Sequence, residues 1–333
     1  MKKIIVTIIV LSLFFTLLAS GYSKSKDEEK NITVRLGFAV SIDTVPGKAF
    51  VLFKEEVEKN TGGRIKVDLY ENATLGNDRD LVEGLTMGTV EMAGAAIGPL
   101  VNFSPEFRIW DLPYVVENNE EGLARAFLVM DGDIGHAMWA SLEKINVKGL
   151  FITYTGFRNI INSKKDVATP ADIIGLKIRT MENSIHQNFY SSAGATVVTL
   201  ASSEAFTALQ QKTIDGMDNV LDAMSDQGAF DIAKHLTLTE HLIGGYVFMV
   251  AKDFFYSLSV EDQEVILNAA EQAKLLTREL ARTCREDYVQ RAEDKGVKVT
   301  YVDYNDWMPA AKKVWDLNKD EINQEWFSAL TGK

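Results

Sequence analysis

Apolar and polar residues alternate over several short stretches of the chain, the period of a half-buried strand. Ile32 to Phe38, Arg64 to Tyr70 and Lys148 to Tyr154 read this way. So does the short run after Gly175, where Leu176 and Ile178 alternate with Lys177 and Arg179. Between such stretches the apolar spacing becomes helical. Helices are predicted over about Lys48–Asn60, closed by Thr61-Gly62-Gly63, and from the Leu75-Gly76-Asn77-Asp78 turn to Met87. A short strand follows from Val90 to Ala93, then irregular chain around Pro105 and Pro113. Further helices are expected over Asn118–Met130, Asp133–Asn146, Ser184–Ala193 and Ser202–Gln211, the last with Ser202 and Ser203 as candidate N-caps. Strands are expected at Thr196–Leu200, at Thr213–Asn219 with its turn, at Leu236–Leu238, at Tyr246–Val250 and at Val297–Tyr301.

The opening strand–helix–strand–helix–strand order predicts parallel pairing in an α/β fold. Glu261 to Lys295 shows one unbroken helical pattern with neither Pro nor Gly. A helix of that length would span about 50 Å, wider than one small domain, and should brace two. Asp306–Leu330 reads as one final amphipathic helix. The chain of 333 residues is long enough for two domains. Gly156 is the expected crossing point, with a return near Tyr246. The expected organisation is therefore 32–155 plus 245–284 as domain I, and 156–244 plus 285–333 as domain II.

Charge and the N-terminus narrow the setting. The formal net charge is −12, with no basic run, which argues against nucleic acid and anionic membranes as partners. A local pair of arginines can still dominate its own pocket. Lys2 and Lys3 precede an apolar run from Ile4 to Leu18, and Ala19-Ser20-Gly21 offers small residues for cleavage. Residues 1–21 are thus expected to be a cleavable secretory signal and 22–31 a flexible leader, placing the mature chain outside the inner membrane, in the periplasm. Tyr22 stands where a lipoprotein would need Cys. Cys284 is the single cysteine, so no disulfide can form within the chain. With one Cys and four scattered histidines, no metal ligand spacing is recognisable, and no metal or cofactor is expected.

Arg179 falls near the C-terminal end of its strand, the end that faces the ligand crevice in open α/β sheets. Its planar fork suits a carboxylate through two parallel N–H···O bonds. Taken alone, the strand leaves open an ordinary ion pair with a structural Asp or Glu.

A set of short motifs, in order and spacing, resembles the DctP-type solute-binding proteins of tripartite ATP-independent periplasmic (TRAP) transporters. They are Thr61-Gly62-Gly63-Arg64-Ile65, Leu75-Gly76, Asp111-Leu112-Pro113-Tyr114, Gly156-Phe157-Arg158, Pro170-Ala171-Asp172, Gly175-Leu176-Lys177-Ile178-Arg179, Glu204 with Thr207-Ala208-Leu209-Gln210, Ile214-Asp215-Gly216 with Asn219, and Leu258-Ser259. The resemblance runs from about Val34 to Trp326. It implies a two-domain clamshell with the ligand in the cleft, braced by the long helix. It implies Arg179 as the bidentate carboxylate ligand, Arg158 as a second contact, and Asn219 positioning the arginine or the substrate. Asp218 departs from the pattern, where Glu is usual, and Met181-Glu182-Asn183 stands in the strip after the arginine. An aromatic near Ser202 and an Arg near Pro99, seen in some relatives, are absent, which argues against a sialic-acid-like ligand.

The expected function is an extracytoplasmic receptor for a small organic acid (dicarboxylate, sugar acid, hydroxy or oxo acid). It would act as a monomer that hands the ligand to TRAP membrane subunits, or alternatively feeds a sensor. The expected substrate-binding residues are Arg179, Arg158, Asn219, Glu182, Asn183, Asp218, Asp78, Tyr154 and Ser41. Asp43 and Asn102 are further loop candidates, Tyr154 and Phe157 either stack on ligand or pack in the core, and His186 is either a contact or a surface residue. Gly-x-Ser-x-Gly, P-loop, GxGxxG and HExxH patterns are all missing, so catalysis is not expected and no residue is assigned to it.

Overall fold

The computed structural model describes residues 31–332; the expected signal segment and nearly all of the leader lie outside the described residues. Two mixed sheets carry the fold. The first has the order β2-β1-β3-β10-β4 and the second β11-β9-β5-β8-β6-β7. The strands are β1 Ile32–Phe38, β2 Ile65–Tyr70, β3 Met92–Ala96, β4 Val147–Ile152, β5 Phe157–Asn162, β6 Lys177–Thr180, β7 Thr196–Thr199, β8 Gly216–Val220, β9 His235–Ile243, β10 Tyr246–Ala251 and β11 Lys298–Tyr301.

Parallel pairing holds for β1 with β3, for β6 with β7 and β8, and for β9 with β11. The pairs of β10 with β3 and β4, and of β5 with β8 and β9, are antiparallel, and the chain's route explains two of them. It leaves the first sheet at the end of β4 and enters the second at β5; it returns from β9 directly into β10. The two passages run side by side in opposite senses: β4 pairs with β10 and β5 with β9. A two-stranded ribbon therefore passes from one sheet into the other. Thr153 N–H donates to Tyr246 O (2.8 Å), Thr155 N–H to Gly244 O (3.0 Å), and Gly244 N–H to Gly156 O (2.7 Å). Gly156 takes φ +90°, which favours glycine. A side chain at Gly244 would lie 2.3 Å from Val220 Cγ1.

Helices cover the sheets by apolar stripes. The Val45–Asn60 helix starts three residues before the predicted Lys48, because Thr44 caps it and Pro46 sits in its first turn. Its Phe50 and Phe53 rings pack on Phe248 of β10, with centroids 5.0 and 4.8 Å away. Gly94 of β3 makes room: a Cβ there would meet Phe50 at 2.3 Å. The predicted single helix from Glu261 to Lys295 is two, Val260–Thr283 and Arg285–Asp294, meeting at Cys284. Thr283 Oγ1 bonds back to the Glu279 and Leu280 carbonyls there, a common source of helix bending. The first segment packs on the Val45–Asn60 helix of the first sheet's side, and the second lies on β11 and the Leu221–Asp226 helix of the second sheet's side. The final helix also divides, into Tyr304–Asn318 and Gln324–Thr331, because Asn323 caps a new start. The last helix reaches back to Glu120–Asp131, where Arg125 Nε donates to Leu330 O (3.1 Å). Among the described residues no helix is long and apolar enough to cross a membrane.

Candidate functional site

Three strand ends of the second sheet meet at one edge. Arg179 is the third residue of β6, and β6 runs parallel to β8 with Arg179 opposite Met217. Asn219 lies near the C-terminal end of β8. Because β5 runs antiparallel to β8, Arg158, near the start of β5, pairs with Val220 at the same edge. Alternate residues of a strand share a face. Pairing with Met217 and with Val220, three residues apart, therefore sets the two side chains on opposite faces of the sheet, and both border one cavity because each sits at a strand end. The cavity spans about 580 Å³, the open solvent at its mouth included. Arg158, Arg179, Asn219, Asp222, Met181 and Ser202 line it from the second sheet's side. Thr44, Pro46, Asp78, Ala96, Ile97 and Gly98 face them, and Thr155, Gly244, Gly245 and Tyr246 of the connecting ribbon form the floor.

The two arginines are held differently. Arg158 is charge-paired within the protein and uses three of its five N–H donors there: Nε donates to Asp218 Oδ2 (2.7 Å), Nη2 to Asp218 O (2.7 Å) and Nη1 to Asn219 Oδ1 (3.2 Å). Burial opposes ionisation of Asp218, but the Arg158 charge, with help from His241 nearby, outweighs it and holds the carboxyl well below its ordinary value. Arg179 is 1% exposed, yet no carboxylate lies within 4 Å of it among the described residues. Its Nε and Nη2 both donate to Leu200 O, at 2.9 and 2.6 Å. Burial lowers its pKa to about 10, the Asp218 charge opposing and Arg158 adding to the fall, so it remains a cation at neutral pH.

Across the cavity, Asp78 Oδ1 accepts Ala96 N–H (3.1 Å), and burial pushes its carboxyl up to about 6 against that bond and the two arginines. Asp222 behaves alike. It accepts Val45 N–H (3.0 Å) and Ala223 N–H (2.8 Å), and burial again pushes it up to about 6. The Val45 bond joins the two sides of the cleft.

Several expected site residues lie elsewhere. Asn183 does not line the cavity: its Oδ1 caps the Ser184–Ser192 helix, and its Nδ2 donates to Gly98 O (3.0 Å) and Asp111 Oδ2 (2.7 Å). All the bonds an amide can make are thereby used. Glu182 sits on the rim, 3.6 Å from Arg79, beside a shallower depression that shares Arg179 and Asp78. Asp218 lies beneath the cavity, spent on Arg158. Ser41 belongs to the turn before the Val45–Asn60 helix, where its carbonyl accepts from Thr44. Asp43 is exposed in that turn, and Asn102 Nδ2 donates to Glu182 O (2.9 Å). Tyr154 and Phe157 pack edge to face, 6.2 Å apart, against a second cavity of about 400 Å³ near Cys284. Tyr154 also meets Phe127 edge to face, 5.5 Å away. His186 is buried and lines the cleft cavity, its Nε2 2.8 Å from Asp111 Oδ1. Asp222, Tyr246, Thr44 and Thr155 were not expected from the sequence; the position of Asp222 three residues beyond Asn219, just after a strand end, is the one local sign of it.

A buried cation facing a cleft between two sheets suits a small anionic ligand. Residues 36–321 match the family described as DctP: bacterial extracellular solute-binding protein, family 7, and the chain belongs to that family. It is 37% identical over 271 residues to a solute-binding protein of Verminephrobacter eiseniae, covering 81% of this chain and 79% of the relative. It is similar to the TRAP periplasmic solute-binding protein of Polaromonas sp. JS666 bound to D-erythronate, with TM-score 0.85 and 30% identity over 90% of this chain and 98% of that one. It is also similar to the sugar acid binding protein DctPAm of Advenella mimigardefordensis in complex with galactonate, with TM-score 0.86 and 29% identity over 91% and 97% of the two chains. The fold is thus the two-domain α/β clamshell of TRAP solute receptors, and the family acts outside the cytoplasm as solute-binding receptors.

Proposed function

We propose that this protein is a receptor for a small organic acid, that Arg179 binds the ligand carboxylate, and that the loaded form is read by TRAP-type membrane subunits. One observation carries the reading: Arg179 is buried at a cavity wall with no counter-ion of its own among the described residues. An unpaired buried charge is costly, and a ligand carboxylate would offset it. The acids bound by the Polaromonas and Advenella relatives support the same class.

In this reading, 32–155 with 245–284 form one lobe and 156–244 with 285–333 the other, the last helix reaching across. Ligand contacts from both walls then favour the closed arrangement, as only a ligand with different affinity for the two states can do. Thermal-shift screening against dicarboxylates, sugar acids, hydroxy acids and oxo acids should give stabilisation by at least one of them. Arg179→Lys should weaken that ligand at least about tenfold, since one of two charge-assisted bonds is lost. Unchanged affinity on calorimetry would remove Arg179 from the role. A melting point that only neutral sugars shift would remove the carboxylate altogether.

A further inference from the structure

Two buried carboxylates, Asp78 and Asp222, border the cavity from its two sides. Asp78 and Asp222 line it at 4% and 3% exposure, and neither is ion-paired among the described residues. Asp78 Oδ2 accepts no hydrogen bond among the described residues, while Asp222 accepts one on each oxygen. A carboxylate oxygen can accept about two, so both groups retain acceptor capacity. Thr155 Oγ1, buried at the cavity floor, also lacks a hydrogen-bond partner.

The charge balance then bears on what the rest of the ligand carries. Arg158 is already neutralised by Asp218. Arg179 is neutralised by one ligand carboxylate, a step that rests on the function proposed above. Asp78 and Asp222 remain as anions with no cation left to meet them. A second ligand carboxylate would add a third negative charge to an enclosed space, where like charges disfavour one another most. Hydroxyl groups would instead supply the donors these acceptors lack.

We propose that the site takes a polyhydroxylated monocarboxylate, with Asp78 and Asp222 accepting hydrogen bonds from the ligand's hydroxyls and disfavouring dicarboxylates. The test uses matched pairs differing only at the far carbon: tetronic to hexonic aldonates, galactonate among them, against the corresponding aldarates. Calorimetry on the intact mature chain should show the best aldonate at least about tenfold tighter than its aldarate. Asp78→Asn keeps the acceptor for Ala96 N–H and should narrow that ratio by improving aldarate binding; Asp222→Asn serves as the second variant. Aldarates or succinate binding as tightly as aldonates would overturn the proposal and leave the carboxylate anchor standing. So would a ratio unmoved in both variants. An α-amino acid binding tighter than either would also overturn it, since the acids would then be reading an ammonium group. Binding of neutral sugars alone would overturn both this inference and the reading beneath it.

Discussion

The start of β5 and the end of β6 each bury an arginine at the same edge of one sheet, and the two are treated in opposite ways. Around Arg158 the protein supplies a carboxylate, a carbonyl and an amide oxygen. Around Arg179 it supplies a single carbonyl. In the first arrangement the charge is compensated within the chain. The second is incomplete, and its incompleteness is useful: a charge without a partner leaves a ligand something to neutralise. Residue type and burial are nearly the same in both places, so neither separates a structural arginine from a binding one. The inventory of partners does.

Removing either side of this contrast should have opposite consequences. Asp218→Ala strands the Arg158 charge in the interior, and chemical denaturation should show a loss of about 3–5 kcal/mol, the usual cost of breaking one side of a buried pair. A loss below about 1 kcal/mol would mean that Arg158 finds other partners and that the contrast is only apparent. Arg179→Met should do the reverse in the ligand-free protein. Unfolding free energy should stay level or rise by about 1 kcal/mol, because an uncompensated buried charge is gone, while organic-acid binding is lost. If this variant destabilises the empty protein as much as Asp218→Ala does, Arg179 is structural.

A smaller effect comes from the two buried acids of the cavity. Asp78 and Asp222 have folded pKa values pushed up to about 6 from an ordinary 3.8. A raised carboxyl binds its proton more tightly in the folded state, so ligand-free stability should rise as pH falls from 7 through about 6, until the unfolded chain also protonates near 4. Asp218 acts with the opposite sign but only below its ordinary value, where its depressed pKa lets stability drain away on further acidification. Comparing melting temperatures of the wild type and Asp78→Asn across this range isolates the Asp78 share. The variant should be the more stable at pH 7, with the gap closing toward pH 4. A gap independent of pH would place Asp78 in a more hydrated setting than its burial implies.

Much of this architecture was legible along the chain because its causes are local. Thr61-Gly62-Gly63 ends a helix, Asn77 begins one, and the alternation at Lys177–Thr180 sets a strand. Arg179 could be placed near a strand end from its immediate neighbours alone. Other features depend on bonds between distant segments. The break at Cys284 lies inside an unbroken helical pattern, and it appears where the helix passes from one sheet's packing to the other's. Asn183 looked available to a ligand until Gly98 and Asp111, far off in sequence, claimed its amide. Tyr154 looked able to stack on a ligand, and packing against Phe127 and Phe157 settled it elsewhere.

Periodicity, turn residues and short motifs are written in neighbouring positions, and they carry most of the element order, the class of fold and the family. Which buried groups satisfy each other follows only from how the chain folds. Arg158 and Asp218 are 60 positions apart, and Val45 and Asp222 are 177 apart. Chain folding alone brings such pairs within bonding distance, and whatever it leaves unpaired, Arg179 above all, is what remains for the ligand.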